Sequence, residues 1–347
     1  MIYGAPVTET PLCPADPQTI ARAGSILREG GLVAIPTETV YGLAADGLNP
    51  AAVARIFAAK GRPADNPLIL HLSDVSELEG IVEGPPALAF ELAAAFWPGP
   101  LTLVLRRREV VPALVSAGLA TVAVRVPAHP VARAIIRACG RPLAAPSANR
   151  SGRPSPTLAA HVAADLDGRI AMIVDGGPTE HGIESTVLDL SELGLSGESR
   201  DGGEEAPLLL RQGAITREAL AARVGAVRDA HGDALARSPG LRHRHYAPRA
   251  KVELVDPAML LHRAMELSAT GLRLGVIDGG PAQAEDPRLG GVSWLRLGNT
   301  SPDYARSLFA ALRTLDELSV ERILAVTVPE LGIGRALMDR LRRAALG

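Results

Sequence analysis

Short hydrophobic segments that alternate with capped helices constrain the fold of this chain more than any other feature of its sequence. The first part of the chain has runs of four to six apolar residues between turns, which is typical of buried strands. Helix signals lie between these runs: Asn49-Pro50 caps one helix and Lys60-Gly61 ends it. Several runs follow one another closely enough to pair directly, so the pattern predicts a mixed α/β domain. The predicted strands cover residues 32–35, 68–71, 101–105, 121–126, 170–174, 185–190 and 207–211.

The alternation stops near residue 225 and restarts after residue 250. Strands predicted at 252–255, 272–277, 292–297 and 323–328 then alternate with helices, which is the pattern of a small parallel sheet. We therefore predict a mixed α/β domain over 1–224, an interdomain linker or lid over 225–250, and a smaller Rossmann-like α/β domain over 251–347.

Charge and cysteine content narrow the class of protein. The formal net charge is −2, so any contact with nucleic acid has to come from a local basic patch. The two cysteines, Cys13 and Cys139, form no metal-binding pattern and no disulfide framework, which favours a reducing cytoplasm. The N-terminus has no signal-peptide pattern, and glutamate and prolines interrupt the longest apolar stretch, so we expect no membrane segment.

Lysine usage singles out one position. Among 36 basic residues only Lys60 and Lys251 are lysines. Lys60 stands beside Gly61 and Arg62 at a helix end, where two cations either stabilise the helix dipole or clamp phosphates. We attach no functional meaning to Lys251.

Four polar segments follow predicted strands or helices: residues 36–42, 60–71, 144–155 and 175–187. Each one by itself has an ordinary interpretation as a turn, a cap or a hairpin. Hydroxyls, amides and glycines at strand ends are also suited to binding an anion. Arg125 lies in an apolar strand, and its buried guanidinium requires a carboxylate partner, either Glu38 or a ligand.

Together these segments resemble one family. The stretches PTETVYGL, KGRPADNPL, WPGPLTLVL, VAVRVPAHP, AAPSANRSGRPSPT, GIESTVLDL and LLRQGAIT are similar, in order, to the motifs of the YrdC-like threonylcarbamoyl-AMP synthases. The resemblance runs from about residue 17 to 223. The segment SPGLRHRHYAP (238–248) and the C-terminal α/β part resemble the longer, two-domain branch of that family.

The resemblance implies a twisted mixed sheet around a concave basic cavity. It also implies a nucleotidyltransferase that condenses L-threonine, bicarbonate and ATP, with Mg²⁺, into threonylcarbamoyl-AMP and pyrophosphate. The product would serve threonylcarbamoyladenosine formation at position 37 of tRNAs that read ANN codons, after handover to a tRNA threonylcarbamoyltransferase complex. No covalent nucleophile and no protein ligands to a metal are expected.

Motif positions carry the expected site residues. Those implied around threonine are Thr39, His71, Arg125, Ala145 and Ser185. Those implied around ATP are Lys60, Arg62, Asn66, Thr121, Ser147, Ser155, Arg211 and Tyr246, with Lys60 and Arg62 stabilising charge on the leaving phosphates.

The segment 242–249, rich in arginine and histidine, is either a solvated tether or a lid that shields the adenylate from water. An alternative for the whole chain is a non-catalytic RNA-binding module, for double-stranded RNA or tRNA, that uses the same concave surface. Aromatic residues make up only 3% of the chain, which weakens a stacking-based RNA site. A carbamoyl-transfer enzyme of hydrogenase maturation would need zinc-finger cysteines, which are not visible.

Overall fold

The computed structural model describes residues 9–193, 206–240, 246–279 and 289–346. The α-helices in these ranges are α1 Pro17–Arg28, α2 Pro50–Lys60, α3 Leu78–Ile81, α4 Ala87–Phe96, α5 Pro130–Cys139, α6 Ala159–Leu166, α7 Arg217–Val224, α8 Leu260–Ser268, α9 Ser301–Glu317 and α10 Gly334–Ala345. Short 3₁₀ helices lie at Val75–Glu77, Gly232–Arg237 and Pro257–Met259.

Eleven strands of the described ranges form one large sheet. They are β1 Leu12–Pro14, β2 Val33–Ile35, β3 Gly42–Asp46, β4 Ile69–His71, β5 Leu101–Arg106, β6 Thr121–Arg125, β7 Leu143–Ala144, β8 Met172–Asp175, β9 Thr186–Asp189, β10 Leu208–Arg211 and β11 Arg228–Asp229. Their order across the sheet is β1-β8-β2-β3-β7-β4-β6-β5-β9-β10-β11. Parallel pairs such as β4/β6 and β5/β9 alternate with antiparallel pairs such as β5/β6 and β9/β10, so the sheet is mixed.

The second sheet has four strands, β12 Lys251–Val255, β13 Leu274–Asp278, β14 Ser293–Arg296 and β15 Arg322–Val326. They are arranged in the order β12-β15-β13-β14, and all three pairings are parallel. A large mixed sheet with a second, smaller parallel sheet confirms the predicted fold class.

Helix ends agree with their sequence signals. The Asn49 side chain accepts hydrogen bonds from the backbone N–H groups of Ala51 and Ala52, 3.0 and 3.2 Å away. Gly61 ends α2 in a left-handed conformation with φ of 62°, which glycine adopts without the steric cost that a Cβ imposes. At the start of α1, the Asp16 side chain caps the helix as Asn49 does, because it accepts a hydrogen bond from the backbone N–H of Thr19.

Four strands of this sheet lie outside the predicted strand ranges: β1, β3, β7 and β11. β3 consists of Gly-Leu-Ala-Ala-Asp, and glycine, alanine and aspartate are depleted in strands. It forms because β2 and β7 pair with it on both sides and all five residues are buried. Tertiary pairing therefore overrides local preference here.

Part of the segment that we interpret as a linker has regular structure. It contains β11, which pairs in parallel with β10, and the 3₁₀ helix Gly232–Arg237. Residues 241–245 of this segment, and most of the acidic stretch 191–206 that the sequence indicates as a loop, lie outside the described residues. The three-part domain division stays a prediction.

The two sheets are joined through α9 and α10. Arg313 of α9 donates to Asp165 of the first domain at 2.7 Å, and both side chains are almost fully buried. Arg340 of α10 reaches Glu184 in the same manner, at 3.1 Å. These buried charge pairs attach the C-terminal domain next to the strand ends that carry the candidate site.

Candidate active site

Strand pairing brings the polar segments together. β4 and β6 run in parallel and place His71 opposite Arg125 at their ends. β9 is parallel to β5, so its preceding residues Glu184 and Ser185 lie at the same edge of the sheet as Arg125. β10 is antiparallel to β9 and delivers Arg211 to that edge.

These strand ends surround a cavity of about 60 Å³. Nine of the residues predicted from the sequence line it: Thr39, Arg62, His71, Arg125, Ala145, Ser147, Ser185, Arg211 and Tyr246. Pro239 and Gly240 of the segment between the domains also line it. The volume is well below the ~300 Å³ at which ligand pockets usually begin, so the residues from this segment leave little free space.

The carboxylate partner of Arg125 is Glu38. The Arg125 guanidinium lies 2.8 Å from Glu38 Oε1 and donates to Thr39 Oγ1 at 3.1 Å. Burial by itself would raise the pKa of Glu38, but the guanidinium of Arg125 and nearby backbone N–H groups lower it below the ordinary value. Glu38 is therefore ionised, and one face of Arg125 is fixed against the 36–42 turn.

His71 is neutral at physiological pH. Burial, followed by the charge of Arg125, lowers its pKa to about 3. Its Nδ1 atom is buried and has no hydrogen-bond partner among the described residues. A neutral imidazole ring, with a buried Nδ1 that has no partner among the described residues, thus forms part of the cavity wall.

Arg62 and Arg211 are two buried cations that lack a carboxylate within 4 Å in the part of the chain that the structure describes. Arg211 donates to backbone and hydroxyl oxygens of Ser185 and to the carbonyl of Pro239, all at 3.0–3.1 Å. Arg62 donates to the carbonyls of Asn66 and Pro67. Burial lowers the pKa of Arg62 to about 10 and also lowers the pKa of Arg211, and the two cations repel each other. Such charges are costly unless an anion joins them.

Lys60 lies behind the cavity wall. Its amine is buried and donates to the carbonyls of Ser147 and Asn149. Burial, followed by the charge of Arg62, lowers the pKa of Lys60 well below its ordinary value. In this structure Lys60 therefore holds the turn that presents Ser147, and its amine is not among the atoms that line the cavity.

Three further predicted residues lie outside the cavity lining. Asn66 accepts a hydrogen bond from the N–H of Gly240 at 2.9 Å, and Ser155 donates to Glu184 at 2.6 Å. Thr121 is at the far end of β6, roughly 13 Å from Arg125 at about 3.3 Å per residue. It shares the face of the sheet with Arg125 because the two positions differ by four residues.

Sequence reasoning did not single out Glu184 and Thr37 as cavity residues, although both line it. Thr102, a third omission, shares a 2.7 Å hydrogen bond with Ser185. Glu184 was present in the motif GIESTVLDL, and its position directly before Ser185 was the available signal. Thr102 lies inside an apolar strand and gave no such signal.

The described ranges contain neither a cluster of metal-binding side chains nor an apolar helix of membrane-spanning length. No group of three or more histidine, cysteine, aspartate or glutamate side chains there is arranged to hold a metal ion. None of the helices described is long and apolar enough to cross a membrane.

A basic cavity lies at the strand ends of the mixed sheet, and two of its buried arginines have no carboxylate within 4 Å in the described ranges. These features define a two-domain α/β protein with a site suited to an anionic ligand. Comparison with known proteins identifies the family. The model described as "Telomere recombination" matches residues 25–198, and the model described as "Threonylcarbamoyl-AMP synthase, C-terminal domain" matches residues 215–346. This chain belongs to the threonylcarbamoyl-AMP synthase family.

Individual relatives extend over nearly the whole chain. The threonylcarbamoyl-AMP synthase of Pyrococcus abyssi is 46% identical over 334 residues, 93% of each chain, and that of Bacillus subtilis is 44% identical over 352 residues, 96% of this chain and 94% of the relative. The crystal structure of P. abyssi Sua5 complexed with L-threonine superimposes with a TM-score of 0.87 at 43% identity, covering 97% of this chain and 98% of that one. These relatives are named as synthases, which does not favour the RNA-binding alternative.

Proposed function

We propose that the cavity condenses L-threonine, bicarbonate and ATP into threonylcarbamoyl-AMP, pyrophosphate and water. Threonine would lie at the end formed by Thr39, His71, Arg125, Ala145 and Ser185. ATP would extend along Arg62, Ser147 and Arg211 towards Asn66 and Thr121, with Lys60 and Ser155 behind it. The P. abyssi relative forms a crystal structure in complex with L-threonine, which supports threonine as one of the two ligands of this cavity.

One observation carries the nucleotide part of this proposal. Arg62 and Arg211 are buried beside the cavity with no carboxylate oxygen within 4 Å in the described ranges. Asp65 and Glu184 offset their charges only in part, and burial lowers the pKa of both arginines. A triphosphate is the anion that would neutralise both. Their charges are then already in place when negative charge moves onto the leaving pyrophosphate, so no reorganisation is needed in the transition state.

The chemical steps need positioning more than a reactive side chain. The threonine amine attacks the carbon of bicarbonate, water leaves, and a carbamate forms. A carbamate oxygen then attacks the α-phosphorus of ATP, and the bond to the pyrophosphate oxygen breaks. Arg125 would bind the threonine carboxylate while remaining paired with Glu38. His71 remains neutral and adds no positive charge next to the amine.

Mg²⁺ belongs to the substrate in this proposal. The carboxylates at the site, Glu38 and Glu184, are each paired with an arginine, Arg125 and Arg340 respectively. They are poorly suited to hold a resident metal ion. We propose that the ion arrives with ATP as the MgATP complex.

The surroundings of the reaction are also proposals. We expect the enzyme to work in the cytoplasm and to deliver its adenylate to a tRNA threonylcarbamoyltransferase complex.

With residues 239, 240 and 246 in their present positions the cavity is too small for ATP. Residues 239, 240 and 246 would therefore have to shift to admit the nucleotide.

The test is pyrophosphate release from ATP by the purified full chain with Mg²⁺, with threonine or bicarbonate omitted in turn, and detection of threonylcarbamoyl-AMP by mass spectrometry. We expect release to require both. Arg211→Met should lower kcat/KM by about 100-fold or more, as loss of a fixed charge at the transition state typically does. The matched control is Arg22→Met, because Arg22 is exposed on α1.

Pyrophosphate or phosphate release that is indifferent to threonine would overturn the proposed reaction. A threonine-dependent reaction that survives Arg211→Met would keep the reaction but refute the assignment of the phosphate site.

A further inference from the structure

The C-terminal domain sends one charged side chain into the wall of the candidate active site. Arg340 of α10 has no exposed side-chain surface, and it is the largest fully buried side chain in the described part of the chain. Burying a guanidinium is costly unless its partners compensate for the lost water. The partners of Arg340 therefore indicate what its burial achieves.

Glu184 is the first partner. Arg340 Nε donates to Glu184 Oε2 at 3.1 Å, while Ser155 donates to the other oxygen of the same carboxylate at 2.6 Å. Glu184 lines the cavity and directly precedes Ser185, which Arg211 contacts. One carboxylate thus connects α10 of the C-terminal domain with two residues of the predicted ATP and threonine sites.

Tyr246 is the second partner. The guanidinium carbon of Arg340 is 5.7 Å from the centre of the Tyr246 ring, which is within the range of a cation–π interaction. The Tyr246 ring also contacts a second residue of the C-terminal domain, because it stacks on Phe309 of α9 with a centroid distance of 5.1 Å. Arg340 therefore contacts both Glu184 and Tyr246, two residues of the cavity lining, and its Nη1 also donates to Asp339 of α10 at 2.9 Å.

The negative charge of Glu184 explains why its pairing with Arg340 affects nucleotide binding. A carboxylate in the wall of a cavity that takes a triphosphate repels the ligand. Burial raises the pKa of Glu184, but Arg340 first, and then Arg211, lower it below the ordinary value, so the carboxylate is ionised. Arg340 offsets that negative charge and so leaves Arg211 available for a ligand.

We propose that Arg340 is a positioning residue through which the C-terminal domain completes the ATP site: it neutralises and orients Glu184 and fixes Tyr246 at the cavity. This inference rests on the proposed function for its ligand. Loss of a residue that only stabilised the fold would weaken the binding of ATP and the binding of threonine to a similar extent. Without Arg340, the Glu184 charge is less well offset, and it should weaken ATP binding and leave threonine binding much less affected.

The experiment compares Arg340→Met, Glu184→Gln and the double variant in the full chain. The control is Arg342→Met, two residues along α10, because Arg342 is half exposed and pairs with Glu330 at the surface. KM for ATP, KM for threonine and kcat are measured by pyrophosphate release. ATP affinity is measured separately by calorimetry in the absence of threonine, and the thermal midpoint reports folding.

We expect Arg340→Met to raise KM and Kd for ATP by about tenfold or more, with less than about threefold change in KM for threonine. The double variant should recover most of the ATP affinity, because Glu184→Gln removes the charge that Arg340 offsets. Arg340→Lys, which keeps the positive charge, should retain ATP affinity better than Arg340→Met. It also serves as the test if Arg340→Met does not fold.

Equal losses for ATP and threonine, or no recovery in the double variant, would overturn the proposal, as would an Arg340→Met enzyme that behaves like the Arg342→Met control. If the wild type shows no threonine-dependent reaction, the proposed function fails by itself. Calorimetric ATP affinity would then still decide the role of Arg340.

Discussion

Arg125 and Glu38 form a buried ion pair at the base of the cavity, with Arg125 Nη2 2.8 Å from Glu38 Oε1 and both side chains 3% exposed. Arg125 belongs to a strand of the central sheet, whereas Glu38 belongs to the turn after β2. The pair therefore ties the turn that carries Thr37 and Thr39 to the strand that carries Arg125. It also orients the guanidinium towards Thr39, a predicted threonine contact.

Replacing Glu38 by glutamine should destabilise the protein strongly. The substitution keeps the shape but leaves the Arg125 charge buried without a counterion, which costs about 3–5 kcal/mol in free energy of unfolding. Urea titration at pH 7 measures the change. The control is Glu330→Gln, since Glu330 pairs with Arg342 where both side chains are about half exposed, and such a pair contributes only ~0–1 kcal/mol. Equal losses in the two variants would contradict the prediction.

His71 should make stability depend on pH. Its pKa is lowered from the ordinary 6.5 to about 3 in the folded protein, so the unfolded chain binds a proton that the folded chain does not. Its contribution to stability is complete above pH 6.5. It is lost as the pH falls from 6.5 towards 3, with a slope of at most ~1.4 kcal/mol per pH unit.

We expect His71→Gln to flatten the fall in free energy of unfolding between pH 7 and pH 5, measured by urea titration at each pH. His161, whose pKa is about 4 because of burial and Arg313, acts in the same direction and leaves part of the slope in place. His262→Gln is the control substitution, because His262 is exposed on α8. An unchanged slope in His71→Gln would refute the prediction.

Lys60→Ala should impair catalysis through the turn that Lys60 supports. Loss of the amine leaves the buried carbonyls of Ser147 and Asn149 without their donor, at about 1–3 kcal/mol for each unsatisfied group. Displacement of Ser147 should then lower kcat/KM for ATP by about 100-fold, measured by pyrophosphate release. Lys251→Ala is a natural control because Lys251 is the other lysine and is exposed. Similar activity in the two variants would remove Lys60 from the site.

Tyr246→Ala should lower turnover or increase ATP breakdown that yields no threonylcarbamoyl-AMP. The ring lies at the cavity between Arg340 and Phe309, and its removal opens the site to water. Tyr246→Phe keeps the ring and so separates the effect of losing the ring from the effect of losing the hydroxyl group. The measured quantity is the ratio of pyrophosphate released to adenylate formed. An unchanged ratio and unchanged turnover in Tyr246→Ala would refute a shielding role.

Much of the fold was readable from the sequence because its signals are local. Apolar runs of four to six residues, the Asn49 cap and the left-handed Gly61 depend on neighbours in the chain, and they predicted β2, β4 and α2 correctly. β3 was not predicted because its glycine and alanines carry no strand preference. Only pairing with β2 and β7 makes this segment a strand.

The candidate site, like the fold, was predicted from the sequence only in part. Ordered motifs determined the family and which residues to consider, since motif spacing is a property of the chain itself. Sequence left two partners open for Arg125, and the fold supplied Glu38. It also paired Glu184 with Arg340, 156 positions away along the chain. Such contacts depend on how strands and domains pack, because the cost of burying a charge is met by whichever group the fold brings within reach.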